Sequence, residues 1–156
     1  MMKGRCACGA VHYEMRAEPL IVHCCHCRWC QRESGSAFAL NAFIETKHVK
    51  LTKGTVEAVD IPSESGGGQR VHRCPTCKVA LWANYLGLGT DFLFVKVGTL
   101  DAPNKCPPDV HIYTESKQGW VNVNDGRPVY ERYYRRDAAW SDASMVRFHA
   151  VMDARG

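Results

Sequence analysis

Cys6-Ala7-Cys8-Gly9-Ala10-Val11-His12-Tyr13-Glu14-Met15-Arg16 carries two signals, and together they decide the fold. From Val11 onward apolar and polar side chains alternate at period two, the pattern of a strand with one buried face. Ahead of that strand stands a Cys-x-Cys pair. Its complement is Cys74-Pro75-Thr76-Cys77, 68 residues on from Cys6. Four thiolates in two close pairs make the closed tetrahedral shell of a structural zinc, and Cys6, Cys8, Cys74 and Cys77 are expected to hold one. Such a site staples the start of the chain to its middle. Because an unfolded chain holds no preformed site, metal binding there contributes folding free energy directly.

Working outward, short strand patterns follow one another: Leu20 to Cys24, Phe38 to Ile44, His48 to Leu51, Val56 to Ile61, Val79 to Tyr85, Phe92 to Val97 and His111 to Thr114. Gly, Pro, Ser and Thr punctuate the gaps between them. Helix is scarce. One turn is expected from Cys27 to Ser34, stopped by Gly35, and Ser141 is placed to cap a terminal helix with Met145, Phe148 and Met152 on its apolar face. The glycines of Ser63-Glu64-Ser65-Gly66-Gly67-Gly68 lack the lysine and following helix of a phosphate loop, so this stretch reads as a surface loop. The expectation is a mostly β domain.

A length of 156 residues suits one compact domain, and 46% hydrophobic with 10% aromatic residues can fill its core. The net charge of +4 suits an anionic small molecule without demanding one, and it is low for a dedicated nucleic-acid binder. No apolar run approaches the roughly 18 residues of a membrane helix, and no apolar signal region follows Met1. A cytoplasmic protein with no membrane partner and no specific nucleic-acid partner is therefore expected. In a reducing compartment its nine cysteines, clustered in pairs, read as thiolate metal ligands rather than disulfides.

Cys25-His26-Cys27-Arg28-Trp29-Cys30 is a second kind of cluster, in which a Cys-x-Cys and a Cys-x-x-Cys share Cys27. Cys25 and Cys27 share one side of a strand end, and Cys27 and Cys30 share one face of a helical turn. Three thiolates with a fourth position open to substrate is the catalytic format for zinc. Two other readings stand beside it. Cys24 also pairs with Cys27 at Cys-x-x-Cys spacing, so Cys24, His23 or His26 can complete a closed second site. A redox dithiol is the other, although the βαβ setting it usually occupies is missing.

Taken together, these residues resemble the glutathione-dependent formaldehyde-activating enzymes, whose wider domain family includes centromere protein V. The resemblance runs from about Gly4 to Trp120. It rests on Cys6-Ala7-Cys8-Gly9-Ala10-Val11, on Cys25 to Cys30 followed by Arg32, on Gly35-Ser36-Ala37-Phe38, on Cys74-Pro75-Thr76-Cys77, and on His111-Ile112-Tyr113 with Trp120. It implies several coiled antiparallel sheets of the Mss4-like (β-tent) type with short helices, stabilised by zinc. Two zinc ions per chain are implied, one structural on Cys6, Cys8, Cys74 and Cys77, one catalytic on Cys25, Cys27 and Cys30. Carbon-sulfur lyase chemistry on S-hydroxymethylglutathione, the adduct of glutathione and formaldehyde, is the implied activity. Residues 1–136 then form the zinc-binding domain, and 137–156 a helical extension packed on it. The chain departs from the family at Lys78, where a glycine commonly follows the second cysteine pair, and at Cys24, an additional thiol.

Arg28 and Arg32 flank the open cluster and can clamp a substrate carboxylate bidentately, although arginines on a short helix are more often solvated. His26 can act as an acid or base near neutral pH, but strand geometry turns it away from the ligand face. His111 is expected to pack or hydrogen-bond within its strand, and Cys106 to be a lone thiol. Tyr130 to Arg136 interleaves aromatics with arginines as a single-stranded nucleic-acid platform does. The alternative to the enzyme is thus a non-catalytic zinc module binding protein or nucleic acid through that segment.

Overall fold

The computed structural model describes residues 1–156. The strands are β1 (Met2–Arg5), β2 (His12–Met15), β3 (Ile21–Cys25), β4 (Ala39–Glu45), β5 (Val49–Lys53), β6 (Glu57–Ile61), β7 (Gln69–Arg73), β8 (Ala80–Tyr85), β9 (Phe92–Lys96) and β10 (Val110–Ile112). Three helices join them: α1 (Arg28–Ser34), α2 (Arg136–Ala139) and α3 (Asp142–Asp153). β1, β2 and β5 form a three-stranded sheet, and a seven-stranded sheet runs β10-β3-β4-β9-β8-β7-β6.

The mostly β expectation holds, with two sheets rather than several. They are antiparallel except at one edge, where β10 lies parallel to β3. A parallel pair needs a crossover connection, and here the whole stretch between Cys25 and Val110 supplies it. That register sets His111 opposite Cys24.

Both faces of the larger sheet are covered in its middle, which is why β9 reads as a continuous apolar run and β4 as one broken only at Asn41 before it ends at Glu45. Ala42, Ile44, Leu93 and Val95 point into one core, shared with Val11, Tyr13, Met15, Cys6 and Cys74. Ala39, Phe43, Phe92 and Phe94 point into the other, shared with Cys25, Cys27, Cys30, Trp140 and Phe148. Phe43 is its hub, stacked on Phe94 at 4.5 Å between ring centres and edge-on to Trp140 at 5.3 Å. Each cysteine cluster thus lies at the margin of its own core.

β1 and β7 were not expected from the pattern. In β7 the inward positions are Gln69 and Val71, so a single aliphatic residue stands among Gln, Arg and His and the hydrophobic alternation is lost. α1 forms as its termini suggest: the Cys27 sulfur accepts from the Cys30 N–H, and Gly35 closes the helix in the left-handed region at φ 66°. No helix is long and apolar enough to cross a membrane.

The terminal helix α3 starts at Ser141, whose hydroxyl accepts from the Ser144 N–H at 3.1 Å. Phe148 is buried, and Arg147 forks onto the buried Glu45 of β4 at 2.9 and 2.5 Å. Burial pushes the Glu45 carboxyl up, but the Arg147 guanidinium more than offsets this and holds it below its ordinary value. A lowered carboxyl stabilises the fold at neutral pH, and that contribution fades as pH falls through the folded value. Arg147→Met leaves a buried carboxylate without its partner and is expected to cost about 2–3 kcal/mol at pH 7. Glu45 in the variant protonates more readily, so the deficit shrinks toward pH 5. Urea denaturation at both pH values checks this, and an equal deficit at both contradicts the charge account.

Candidate metal centres and the cavity beside them

Cys6 and Cys74 each open the same backbone device. The Cys6 N–H donates to the Val11 carbonyl and its carbonyl accepts from Gly9; the Cys74 N–H donates to Val79 and its carbonyl accepts from Lys78. In both turns the residue after the second cysteine is left-handed, Gly9 at φ 75° and Lys78 at φ 63°. Lysine there costs about 1–2 kcal/mol relative to glycine's freedom, and its ammonium pairs with Glu57 at 2.8 Å. The two turns bring four sulfurs together, all within 4.8 Å of one another. Cys6 to Cys8 is 3.6 Å and Cys8 to Cys74 is 3.8 Å. A tetrahedron with zinc–sulfur bonds of about 2.3 Å has edges of about 3.8 Å, so this donor set fits a closed thiolate site. The Val11 N–H, 3.3 Å from the Cys6 sulfur, adds a donor suited to a thiolate.

Cys25 ends β3, Cys27 caps α1 and Cys30 lies in its first turn; all three are buried, with their sulfurs within 4.8 Å. The neighbouring thiols of Cys25 and Cys30 pull the Cys27 thiol down to about 3, and their shared charge raises the Cys25 thiol far above the ordinary range. Three adjacent sulfurs out of water cannot all carry charge unaided. A divalent cation replacing the two remaining protons resolves the repulsion, so the donor set suits a three-thiolate metal centre. The turn carrying it is clamped from outside: the His26 carbonyl accepts from Gln31 Nε2 at 2.8 Å and from the Ser116 hydroxyl at 3.0 Å. Gln31 and Ser116 carry no motif signature, and only the buried position of Gln31 betrays its role.

Beside this cluster Cys25 opens on a cavity of about 390 Å³, walled by Tyr85, Tyr113, Tyr133, His23, Asn41 and the Ser65 to Gly68 loop, with Arg136 at one side. The size suits a small molecule. Burial raises the phenols of Tyr85, Tyr113 and Tyr133, with the adjacent cysteine charge acting in the same direction. They remain hydrogen-bond donors at neutral pH. Arg28 and Arg32 lie elsewhere, on an open depression of about 440 Å³ with Gln31, Gln118 and the exposed Trp120, and neither lines the Cys25 cavity. Arg28 hydrogen-bonds to Gln31 Oε1.

Strand alternation sends Cys24 and His26 to the opposite face of β3 from Cys25. The Cys24 sulfur is 3.5 Å from His26 Nε2, which lies 3.0 Å from His111 Nδ1, and His111 Nε2 meets Asp125 at 2.9 Å. Cys24 therefore does not complete the three-thiolate centre. His26 indeed faces away from the ligand side, and His111 is hydrogen-bonded at both nitrogens, to His26 beyond the end of β3 and to Asp125 in a later loop. Burial pushes the Cys24 thiol up to about 12. Asp125 was not singled out in the sequence, having no pattern around it. Cys106 is a buried thiol of the first core, pushed up to about 11 by burial. In the Tyr130 to Arg136 segment Tyr134 turns inward, while Arg132 pairs with Glu115 and Arg135 with Asp137.

Comparison with known proteins adds two findings. The sequence model of a family described as glutathione-dependent formaldehyde-activating enzyme matches residues 1–116. Among solved structures the chain is similar to a Rhodobacter sphaeroides protein, at 20% identity and a TM-score of 0.49, over 83% of this chain and 99% of that one. No curated protein matches.

Proposed function

The chain belongs to the glutathione-dependent formaldehyde-activating enzyme family, matched over 116 of its 156 residues, and from that premise we propose that it is a zinc-dependent carbon-sulfur lyase-type enzyme interconverting glutathione plus formaldehyde with S-hydroxymethylglutathione. The observation that carries the reading is the buried set of Cys25, Cys27 and Cys30, of which Cys25 lines a cavity of small-molecule size. Those three hold the catalytic zinc and Cys6, Cys8, Cys74 and Cys77 the structural one. Zinc bound at the open centre supplies a positive charge that favours the deprotonated form of an incoming thiol.

The chain's own residues supply the rest. The cavity holds thiol and aldehyde side by side, which removes the entropic cost of a bimolecular addition. Its aromatic walls restrict water. Tyr113 and Tyr133, protonated at neutral pH, are donors for the oxygen on which charge develops as the carbon–sulfur bond forms. The thiol proton ends on the new hydroxyl, so the addition balances without an oxidant, and the reverse reaction cleaves the same bond. The same family reading assigns the two sheets to the Mss4-like (β-tent) type, with residues 1–136 as the catalytic domain and 137–156 as an extension docked through Phe148 and Arg147.

Formaldehyde and glutathione also combine spontaneously, so the test is exchange spectroscopy at equilibrium, read against that background. Zinc-replete protein is expected to accelerate exchange between free and adduct glutathione. No acceleration with glutathione or any other small thiol would overturn the proposal.

A further inference from the structure

Arg136 stands 20 residues beyond the end of the family match at residue 116, yet it lines the cavity on which Cys25 opens. Its guanidinium is laid 4.4 Å above the ring centre of Phe148 and 5.9 Å from that of Trp140, so aromatic contacts orient it. The neighbouring arginines are paired, Arg132 with Glu115 and Arg135 with Asp137. Arg136 has no ion-pair partner, and its Nε is buried without an acceptor. A buried N–H without a partner costs about 1–3 kcal/mol, and for a charged group more. Nothing in the lining pairs with it: the walls contain no Asp or Glu.

We infer that Arg136 is the carboxylate receptor of this cavity, a binding subsite that makes the protein select anionic thiols over neutral ones. The inference rests on the thiol-adduct reading of the adjacent cysteine centre and adds the specificity residue. The planar guanidinium presents its donors in the fork geometry that a carboxylate accepts in pairs, and in a walled site such a pair is stronger than in water. Glutathione carries two carboxylates and one thiol, so sulfur at the cysteine centre and a carboxylate on Arg136 make a two-point attachment. Because α2 and α3 supply the arginine and its aromatic floor, the subsite belongs to the C-terminal segment and not to the matched region.

Two measurements test it on the full chain. The first is calorimetric binding of S-methylglutathione, whose capped sulfur cannot react but whose carboxylates are intact. Wild type is expected to bind it, and Arg136→Gln to bind about tenfold to a hundredfold more weakly. The second is the KM of glutathione against that of its diethyl ester in the exchange assay. Wild type is expected to favour glutathione at least about tenfold, and Arg136→Gln to lose most of that preference while kcat changes less. Arg136→Lys, which keeps the charge without the fork, should fall between, and thermal melting of each variant reports whether the floor still packs. Undetectable binding by wild type, equal binding by Arg136→Gln, or an equal loss with glutathione and its ester would overturn the subsite. If no thiol is turned over at all, the proposed reaction fails while the binding comparison still decides Arg136.

Discussion

Cys74→Ser is expected to yield no soluble folded protein. Its sulfur is fully buried where the first core meets the four-cysteine cluster, and it belongs to the turn that joins β7 to β8. Structural zinc sites of this kind bind with apparent free energies of about 10–16 kcal/mol, against a total stability of about 5–15 kcal/mol for an ordinary domain. A site of that worth rivals the whole margin of folding, so forfeiting even a part of it with one of four ligands is expected to leave little net stability. A metal held there would also span the chain, tying the turn between β1 and β2 to the turn between β7 and β8. Soluble yield and circular dichroism check the prediction. Chelator titration adds an order of events, the three-cysteine centre losing metal first with the fold retained, and the four-cysteine site second with unfolding. A folded Cys74→Ser protein with wild-type melting would remove the structural role, and unfolding at the first metal loss would reverse the two assignments.

Cys27→Ser should do the opposite, keeping the fold and abolishing turnover. Cys27 caps α1 by accepting the Cys30 N–H at 3.3 Å, and serine is itself a strong helix N-cap, so α1 has no reason to unwind. What serine cannot supply is the thiolate shared by both ligand spacings. Outer partners of metal ligands typically cost 10–100-fold when removed, and loss of an inner ligand is expected to exceed this, a drop of more than about 1000-fold in exchange rate. One zinc per chain should remain, held by Cys6, Cys8, Cys74 and Cys77. Exchange spectroscopy with metal analysis decides it, and wild-type rates in the variant would exclude this cluster as the centre.

Much of this was legible from local pattern. The Cys-x-Cys and Cys-x-x-Cys spacings act within one turn, where chain geometry leaves sulfurs few places to go. Ser141 and Gly35 announced the start of α3 and the end of α1 because capping is settled by adjacent backbone groups. The family resemblance, not local pattern, marked the position after Cys77 as one where a glycine commonly stands, and the backbone adopts there the left-handed conformation that glycine favours even though the residue is Lys78. Arg28 and Arg32 show the limit of proximity in sequence: they flank the cysteines along the chain, yet the helix turns them onto a different surface.

The amino-acid sequence by itself determined that the cysteines fall into close pairs, the mostly β character, most strands, and the start of α3 and end of α1, since each follows from spacing, alternation or capping within a few residues. Tertiary structure alone decided which side chains meet across the fold. The parallel register of β10 on β3 brings His111 to His26, and the strand alternation carries Cys24 away from Cys25. Phe148 and Trp140 on the C-terminal segment dock against Phe43 and so deliver Arg136 to a cavity whose cysteine lies 111 residues earlier in the chain. Such meetings are fixed by sheet register and core packing, which depend on the whole chain at once, and no local pattern encodes them.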